Sequence, residues 1–202
     1  MTTQQLIAQG AEAKIFISNK VITKSRIKKS YRIPILDNKI RKLRTRAEAK
    51  ILEKVSKIIP APKPISSSEK NTEIKMPYID GDKLSTNLNK FPITKQKKIL
   101  NQIGTTVAKL HEHDIIHGDL TTSNMILKNN LVYFIDFGLS FQNAKYEDKA
   151  VDIHLLKQAL EAKHFQNHED LFKNFTKGYK WKDSDKILGR LKIVERRGRY
   201  KH

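Results

Sequence analysis

The chain has 202 residues, enough for one domain or for two small lobes that share a cleft. It contains no cysteine, which excludes disulfides, thiolate metal sites and cysteine nucleophiles from these residues. The formal net charge of +19 predicts attraction to phosphate polymers, nucleic acid above all. A general lysine bias from a warm or salty habitat explains the charge equally well.

Membrane and export signals are not expected. Residues 1–6 lack a charged region followed by an apolar core, so no secretory signal is predicted. No apolar run approaches the ~20 residues that a membrane helix needs. Together with the absence of cysteine, these features predict a cytoplasmic protein with no membrane contact.

The first part of the chain is typical of short strands. Residues 6–21 predict two strands joined by a turn, Gln-Gly-Ala-Glu-Ala at positions 9–13, and the strand Val-Ile-Thr-Lys follows at 21–24. By itself the turn is typical of a hairpin. Its small side chains also let backbone N–H groups approach a phosphate.

A dense cluster of positive charge follows the strands and is interrupted at Ile33-Pro34. From about Leu36 the apolar spacing is helical and continues to Val55, with Ile40, Leu43, Ala47, Ile51 and Leu52 on the same pattern. Glu48 is an isolated acid in this helix, and a surface pair with Arg44 is one possible partner. The cations of the cluster are Arg26, Lys28, Lys29, Arg32, Lys39, Arg41, Lys42, Arg44 and Arg46.

Prolines at positions 60, 62 and 64 end that helix. Strands are predicted at Ile65 and at 72–76, with the three serines at 66–68 as a short loop. A short helix over 84–88 and a longer helix from Thr94 follow. We expect His111 and His113, near the end of the longer helix, to interact with the helix C-terminus rather than with a metal.

The stretch from 117 to 138 carries the chemistry. Asp119 can accept a proton from a hydroxyl or from water, and Asn124, five positions later, can ligate a metal. Asp136 follows an apolar strand at 131–135. Mg²⁺ prefers hard oxygen ligands in the company of phosphates, and phosphoryl transfer depends mainly on positioning and charge neutralisation. The pattern predicts a metal–nucleotide site in which Asn124 and Asp136 bind Mg²⁺ and Asp119 is catalytic.

The end of the chain is predicted to be helical and then basic. A buried helix begins near Val151, and Asp152 at its start is predicted to bond the backbone of the catalytic loop. Another helix is predicted over 165–179. The basic residues that follow are interpreted as a tail for an anionic partner or for the cleft of a partner protein. They are Arg190, Lys192, Arg196, Arg197, Arg199 and Lys201.

The sequence His117-Gly118-Asp119 with Asn124 resembles the protein-kinase catalytic loop, with glycine in place of the usual arginine. Asp136-Phe137-Gly138 resembles the kinase metal-binding triplet, and His117 then reads as a packed orienting group. The resemblance implies an ATP site that also uses Gly10, Ala11, Glu12, Ala13, Lys24, Glu48, Met76, Pro77 and Ile79.

In that scheme the loop at 10–13 covers the phosphates. Lys24, preferred to Lys20 by strand alternation, meets the α- and β-phosphates, and Glu48 holds Lys24 by an ion pair. At the hinge between the lobes, the Pro77 carbonyl and the Ile79 N–H contact adenine, with Met76 as the wall behind. Proline has no N–H, so Pro77 can serve only as an acceptor.

The fold implied is α+β, a minimal bilobal protein-kinase-like fold. Residues 1–78 form a β-sheet lobe with one helix, and residues 79–202 form a reduced, mostly helical lobe with a basic C-terminal tail. A long activation segment, an Ala-Pro-Glu motif and room for peptide-binding helices are all missing after Gly138. Water is therefore a plausible acceptor, and ATPase activity is favoured over protein phosphorylation.

As a whole the chain resembles the small atypical kinase/ATPase subunit of the KEOPS (EKC) tRNA threonylcarbamoyladenosine complex, a RIO-related family. The matching motifs are residues 9–13, 24–32, 44–48 and 117–124 and the Arg-Gly-Arg tail. The resemblance implies Mg·ATP-dependent ATPase or Ser/Thr kinase activity that supports tRNA modification. It also implies docking on the threonylcarbamoyl-transferase subunit and on a small accessory subunit, and tRNA is expected to contact the basic stretches.

Two alternatives remain open. One is a free-standing RIO-type Ser/Thr protein kinase. The other is a non-catalytic RNA-binding scaffold with a vestigial nucleotide site, which a complete set of catalytic groups argues against. Small-molecule phosphotransferases share the His-Gly-Asp pattern but usually carry a larger C-terminal lobe.

Overall fold

The computed structural model describes residues 4–199. The chain divides into two compact units. The N-terminal unit comprises the chain up to Lys57 together with Ala61–Asp80, and the C-terminal unit comprises Ile58–Pro60 and everything from Gly81 onward. The sequence predicted a boundary between residues 78 and 79, and in the structure the N-terminal unit ends at Asp80. Lys201 of the predicted basic tail lies outside the described residues.

The N-terminal unit contains one antiparallel five-stranded sheet of order β1-β2-β3-β5-β4. Its strands are β1 (Gln5–Gln9), β2 (Ala13–Ser18), β3 (Val21–Arg26), β4 (Ser66–Ser68) and β5 (Glu73–Pro77). Strand β3 is central, so Lys24 has Ile15 of β2 on one side and Ile74 of β5 on the other. A side chain on a central strand has a tightly fixed backbone beneath it.

The prediction of a loop at the three serines is wrong, because Ser66–Ser68 pairs with β5 as an edge strand. Ser66 lies opposite Lys75 and Ser68 lies opposite Glu73. Three identical small polar residues have no alternation to reveal a strand. The backbone pairing that defines this strand is made with residues that come later in the chain.

Helix α1 (Pro34–Val55) begins with proline in its first turn, where a missing N–H costs nothing. Its second half buries Ile51, Leu52 and Val55, as the spacing predicts. The part of the helix before Ile51 is different. The side chains it buries are polar, namely Asp37, Thr45 and Glu48. The apolar Ile35, Leu36 and Leu43 are exposed instead, so the prediction that Leu36 and Leu43 belong to a packed face is wrong.

The C-terminal unit is mainly helical. Its helices are α2 (Leu84–Asn87), α3 (Ile93–Glu112), α4 (Tyr146–Lys163), α5 (His168–Gly178) and α6 (Ser184–Arg199). Its strands are β6 (Asp82–Lys83), β7 (Ile115–Ile116), β8 (Met125–Lys128), β9 (Leu131–Phe134) and β10 (Phe141–Gln142). They form a sheet of order β6-β8-β9 and a small β7–β10 pair.

Helices α3 and α5 pack closely at two glycines. A Cβ atom at Gly104 would collide with the Phe175 carbonyl oxygen, and one at Gly178 would collide with the Asn101 carbonyl oxygen. Phe175 itself is fully buried. This contact holds α3, the helix that precedes residues 117–138, against α5.

The segment interpreted as a basic tail is helical as far as Arg199. Ile187 and Leu191 are buried where α6 packs on α4. These residues are four apart, so they lie on one helix face and give the segment an apolar side that its charge count conceals. Among residues 4–199, no helix has both the length and the apolar character needed to span a bilayer.

Candidate active site

The predicted pair of Lys24 and Glu48 is present in the N-terminal unit. The Lys24 Nζ atom lies 2.6 Å from Glu48 Oε1, and both residues are buried. The alternative surface pair of Glu48 with Arg44 is wrong, because Arg44 Nη1 donates to Glu12 at 2.8 Å. Strand β3 and helix α1 therefore place one cation and one carboxylate face to face in the interior of this unit.

A second cation, Arg26, shares Glu48, and sequence reasoning missed it. Arg26 Nη2 donates to Glu48 Oε2 at 2.5 Å, and Arg26 is buried. The signal was available, because Arg26 follows Lys24 by two positions on β3 and side chains two apart face the same side of a strand. Because Arg26 lies in a run of basic residues, it was interpreted as a surface charge.

The predicted phosphate loop is a tight turn. Gly10 N–H donates to the Ala13 carbonyl at 3.0 Å, and Ala13 is already the first, buried residue of β2. The Glu12 carbonyl accepts from Ile27 N–H at 3.0 Å. The Lys29 ammonium donates to the Ala11 carbonyl. The turn is thus tied to the segment that follows β3.

The Glu12 side chain of this loop interacts with cations. Besides Arg44, its carboxylate lies 4.0 Å from Lys29 and 3.9 Å from Arg32. Arg32 also reaches the fully buried Asp37, at 3.6 Å. Several members of the basic cluster are therefore engaged by acids of their own unit, which the sequence count alone did not indicate.

The three residues predicted to contact adenine, Met76, Pro77 and Ile79, lie near the end of the N-terminal unit. Met76 is buried in β5, and Pro77 closes that strand opposite Val21. Tyr78 N–H is occupied by the Lys20 carbonyl at 2.8 Å, and Ile79 follows half-buried. The Tyr78 N–H is therefore already hydrogen-bonded within the N-terminal unit. The contact of the Ile79 N–H with adenine stays a prediction.

In the C-terminal unit the structure brings Asp119 and Asn124 together. Asn124 Nδ2 donates to the Asp119 carbonyl at 2.9 Å and to Asp119 Oδ2 at 2.8 Å. Two acceptors for the amide nitrogen fix its orientation and direct Oδ1 away from Asp119. The amide therefore anchors the carboxylate through its nitrogen and presents its oxygen as a possible metal ligand.

Asp136 follows β9 as predicted, in a left-handed backbone conformation with φ of 61°. Aspartate tolerates this region better than most residues. Its Oδ1 accepts from Gly138 N–H at 3.3 Å, and Phe137 between them is buried. The buried phenyl ring anchors the triplet while Asp136 stays exposed.

Gly118 explains why this loop has glycine where kinases usually carry arginine. Its φ is 81°, and a Cβ atom here would collide with the Leu139 carbonyl oxygen. Both the conformation and the space exclude a side chain. The loop before Asp119 and the chain after Gly138 are therefore in backbone contact.

The prediction that Asp152 bonds the catalytic-loop backbone is confirmed. Its Oδ1 accepts from Gly118 N–H and its Oδ2 from His117 N–H, each at 3.0 Å. Burial alone would raise the pKa of this carboxyl. The hydrogen bond from the His111 side chain, together with that from the His117 backbone N–H, outweighs burial and holds the pKa below its ordinary value. A buried carboxylate thus holds the loop from beneath.

His117 is a packed orienting group, as predicted. Burial lowers its pKa, so the ring is neutral at neutral pH. Nε2 donates to the Ile135 carbonyl at 3.1 Å, and Nδ1 accepts from Asp119 N–H at 3.3 Å. The ring packs on Phe137, with centroids 4.6 Å apart. It links the backbone of Asp119 to the strand that leads into Asp136.

The prediction for His111 is wrong, whereas His113 fulfils it by contacting the Lys109 carbonyl at 2.8 Å. His111 is fully buried and lies 3.2 Å from Asp152 Oδ2 and 2.8 Å from the Tyr179 hydroxyl. Burial raises the pKa of Tyr179 and keeps that hydroxyl protonated. The network therefore extends from the catalytic loop through α4 and α3 to the end of α5.

His164 is a further support that the sequence did not reveal. Located just after α4, it lies 3.0 Å from the Thr122 hydroxyl and 2.6 Å from Asn89 Oδ1. Thr122 begins the short 3₁₀ turn that ends at Asn124. Burial lowers the pKa of His164, with the Lys163 charge adding to the effect. The end of the loop that carries Asn124 is thus anchored separately from the Asp152 contacts.

A sheet unit with one helix carrying a Lys–Glu pair, and a helical unit carrying Asp119, Asn124 and Asp136 on anchored loops, define the α+β, minimal bilobal kinase-like class. The RIO domain matches residues 14–173. The chain belongs to the RIO-domain family, in the branch that contains the Bud32 proteins. The family expected from the motifs is thereby confirmed.

Two relatives match this chain over nearly their whole length. A KEOPS complex subunit Bud32 from Pyrococcus abyssi is 43% identical over 212 residues, covering 98% of this chain and 96% of the relative. A probable serine/threonine-protein kinase BUD32 homolog from Archaeoglobus fulgidus is 38% identical, with 95% and 94% covered.

A third relative is longer. A probable bifunctional tRNA threonylcarbamoyladenosine biosynthesis protein from Methanobrevibacter smithii is 40% identical over 205 residues. The match covers 98% of this chain but 37% of the relative. In that protein a segment similar to this chain is joined to a larger remainder.

Proposed function

We propose that this chain uses Mg·ATP for phosphoryl transfer, as an ATPase and atypical Ser/Thr kinase, and that it works in the cytoplasm as a subunit of a KEOPS-type complex for tRNA threonylcarbamoyladenosine modification. One observation carries the proposal. Each unit holds its share of the required groups in a defined arrangement, Lys24 with Glu48 in one and Asp119 with Asn124 in the other. A nucleotide site that had lost its activity would not be expected to keep both pairs of residues.

In the N-terminal unit, Lys24 neutralises the α- and β-phosphates, and the ion pair with Glu48 sets the direction of the ammonium group. The backbone of residues 10–13 covers the phosphates. The Pro77 carbonyl accepts from the adenine amine, and the Ile79 N–H meets a ring nitrogen, with Met76 as the wall. These assignments draw on the family and on the positions described above.

In the C-terminal unit, Asp119 orients and deprotonates the nucleophile, while Asn124 Oδ1 and the Asp136 carboxylate hold Mg²⁺. Within residues 4–199, no group of three or more His, Asp and Glu side chains could hold a metal ion. Two hard oxygen donors nonetheless fit Mg²⁺, which keeps several waters and shares phosphate oxygens. When bound, the metal neutralises charge that develops on the transferred group.

Water is the acceptor that the C-terminal unit favours. The chain passes from Gly138 through the two-residue strand β10 to helix α4, which begins at Tyr146. That interval is short for a platform that could align a peptide hydroxyl. Protein phosphorylation is the second candidate activity, and the name of the Archaeoglobus fulgidus relative favours it.

Exposed apolar side chains support assembly with other proteins. Ile33, Ile35, Leu36 and Leu43, at and within the first half of α1, and Tyr31 before it are between 49% and 84% exposed. Grouped apolar exposure of this kind marks interaction surfaces. We propose that partner subunits, the threonylcarbamoyl-transferase and a small accessory subunit, dock on this chain, since the Pyrococcus abyssi relative is named as a KEOPS subunit.

A tRNA contact is proposed for the basic residues that remain at the surface. Lys28, before α1, and Lys39, within it, are exposed, as are Lys192 and Arg196 on α6. The buried Arg26 does not belong to this set. Binding through phosphates predicts that tRNA affinity falls steeply as salt rises, so a salt-insensitive affinity would contradict the contact.

The test follows the label of γ-labelled ATP with this chain alone, and then with its transferase partner and tRNA. We expect the label mainly in inorganic phosphate, released faster when partners are present. The Asp119→Asn variant, purified identically, controls for contaminating ATPases. Label that ends mainly on added protein hydroxyls, regardless of partners, would identify a free-standing protein kinase. No release beyond the control under any condition would identify a scaffold.

A further inference from the structure

Arg26 occupies an unusual position for a residue in a basic cluster. Its side chain is 5% exposed, and its Nη2 donates both to Glu48 Oε2 at 2.5 Å and to the Arg44 carbonyl at 3.3 Å. Its backbone is fixed as well, because its N–H donates to the Thr72 carbonyl at 3.1 Å. Arg26 therefore connects the end of β3 to the turn of α1 that carries Glu48.

Glu48 is consequently shared by two cations. One carboxylate oxygen accepts from Lys24 at 2.6 Å and the other from Arg26 at 2.5 Å. The formal charges of the three side chains sum to one positive charge, whereas Lys24 and Glu48 alone would sum to zero. Charge-assisted bonds of this length in a buried setting are strong and directional. The second cation thus changes both the geometry and the electrostatics around Lys24.

We propose that Arg26 is a positioning residue for the nucleotide polyphosphate, acting through Glu48. It holds the carboxylate in the orientation that aims Lys24, and it neutralises part of the carboxylate charge so that the region keeps a net attraction for phosphate. Arg26 contacts neither nucleotide nor metal in this scheme. The inference rests on the proposed nucleotide site and assigns that site a residue beyond the Lys–Glu pair.

Arginine suits this role better than lysine. The guanidinium carries several N–H groups in a rigid plane and remains charged at any relevant pH. The Nη2 atom lies one bond farther from the backbone than a lysine Nζ would. Arg26→Lys therefore keeps the charge but shortens the reach, whereas Arg26→Gln removes the charge. Comparing the two variants separates electrostatics from geometry.

The test measures dissociation constants for Mg·ADP and for adenosine, with wild type, Arg26→Gln and Arg26→Lys. For Arg26→Gln we expect the constant for ADP to rise about tenfold, the amount typical of one lost charged hydrogen bond. For adenosine, which has no phosphate, we expect a change below about twofold. Arg26→Lys should fall between wild type and Arg26→Gln for ADP.

Arg46→Gln is the matched control. Arg46 belongs to the same cluster and bonds Glu69 at 2.6 Å, but its side chain is 64% exposed. Removing it deletes the same charge from the protein without touching Glu48. Its charge is exposed to solvent and is largely screened at about 0.15 M salt, so neither dissociation constant should change measurably.

Because Arg26 acts through Glu48, its effect must depend on that residue. In a Glu48→Gln background, adding Arg26→Gln should weaken ADP binding by much less than it does in wild type. This coupling is the signature that a merely destabilising substitution would not produce. A full, additive effect of Arg26→Gln in that background would overturn the inference.

Two further results would also overturn it. One is an ADP constant for Arg26→Gln that matches the Arg46→Gln control. The other is an equal loss of ADP and adenosine binding, which would mean that Arg26 supports the fold and not the phosphate site. Failure of wild type to bind either Mg·ADP or adenosine is a different outcome, because it removes the proposed function itself.

Discussion

The two units hold their functional side chains in different ways. In the N-terminal unit, Lys24 and Glu48 meet directly, and a further charge, Arg26, grips the carboxylate. In the C-terminal unit, the partner of Asp119 is an amide, and the firm bonds are made to the backbone on either side of it. The N-terminal unit therefore orients its charged side chains by ion pairs. The C-terminal unit holds the loop backbone, and the loop in turn positions the Asp119 side chain.

This difference has a chemical reason. A lysine side chain is flexible, and an ion pair with a carboxylate restricts its orientation. The ammonium group can still bind phosphate, as proposed for Lys24. A catalytic carboxylate that bonded a fixed cation would have its pKa lowered and would be a weaker base. Asp152 instead bonds the backbone N–H groups of His117 and Gly118, and the side chain that donates to the Asp119 carboxylate in this loop is the neutral amide of Asn124. Substitutions in the C-terminal unit should therefore separate loop support from catalysis.

The largest effect is expected for Asp119→Asn. The amide cannot accept the nucleophile's proton, so turnover should fall by about 10²- to 10⁴-fold. Nucleotide affinity and thermal stability should change little, because the loop backbone keeps its anchors. Steady-state phosphate release, together with the ADP dissociation constant, measures both quantities. Comparable losses in turnover and binding would contradict the catalytic assignment.

Removing the anchor should act on stability first. Asp152→Ala leaves two backbone N–H groups and His111 without their acceptor, at a cost of about 3–5 kcal/mol in the free energy of unfolding. Urea denaturation monitored by circular dichroism measures it. Glu161→Ala, an exposed acid on the same helix, is the control and should lie within about 0.5 kcal/mol of wild type. Equal behaviour of the two variants would refute the anchoring role.

Glycine-to-alanine substitution is expected to change stability in opposite directions at two glycines, Gly118 and Gly189. Gly118→Ala must adopt a positive φ against the Leu139 backbone and should destabilise the protein by about 2 kcal/mol or more. Gly189→Ala lies inside α6 with nothing within 4 Å of the added Cβ, and should stabilise by about 0.5–1 kcal/mol. Midpoints of urea unfolding compare them, and equal signs would show that the catalytic-loop backbone is not constrained as described.

The smallest effect concerns pH. Burial lowers the folded-state pKa of His164 below its ordinary value of 6.5, so the unfolded chain binds the proton more readily. Its contribution to stability is complete above pH 6.5 and is lost as pH falls through the folded-state pKa. His117 acts in the same window with the same sign.

A variant isolates the His164 contribution. His164→Gln removes this titration, so its stability should fall less than that of wild type as pH is lowered below 6.5. Gln166→Ala, at an exposed and non-titrating residue close to His164 in the chain, should follow the wild-type curve. Unfolding free energies over this range supply the comparison. Parallel curves for wild type and His164→Gln would disprove the assignment.

Much of the site was predictable because its motifs are local. The spacing of Asp119, Asn124 and Asp136 within one short stretch predicted a metal–nucleotide pattern, and strand alternation singled out Lys24. Strands β1, β2, β3 and β5 of the N-terminal sheet also followed from alternation, whereas the serine strand β4 did not. The roles of these side chains toward a nucleotide remain proposals, since their arrangement within each unit does not by itself test the reaction.

The errors share one cause. Arg26 was counted as surface charge, His111 was assigned to a helix end, and the first half of α1 was given an apolar buried face. In each case a residue's environment is supplied by elements distant in the chain. Composition and periodicity report what a residue prefers, and they do not report which partner is available to satisfy it.

The sequence by itself determined the α+β class and the family, because these depend on local pattern and spacing, and it predicted which side chains act on a nucleotide. The tertiary structure decided which charges are buried and which are exposed. It placed Arg26 against Glu48, Asp152 beneath the catalytic loop and Tyr179 behind His111. A buried polar group is stable only where a partner completes it, and that partner is chosen by packing between segments far apart in the chain.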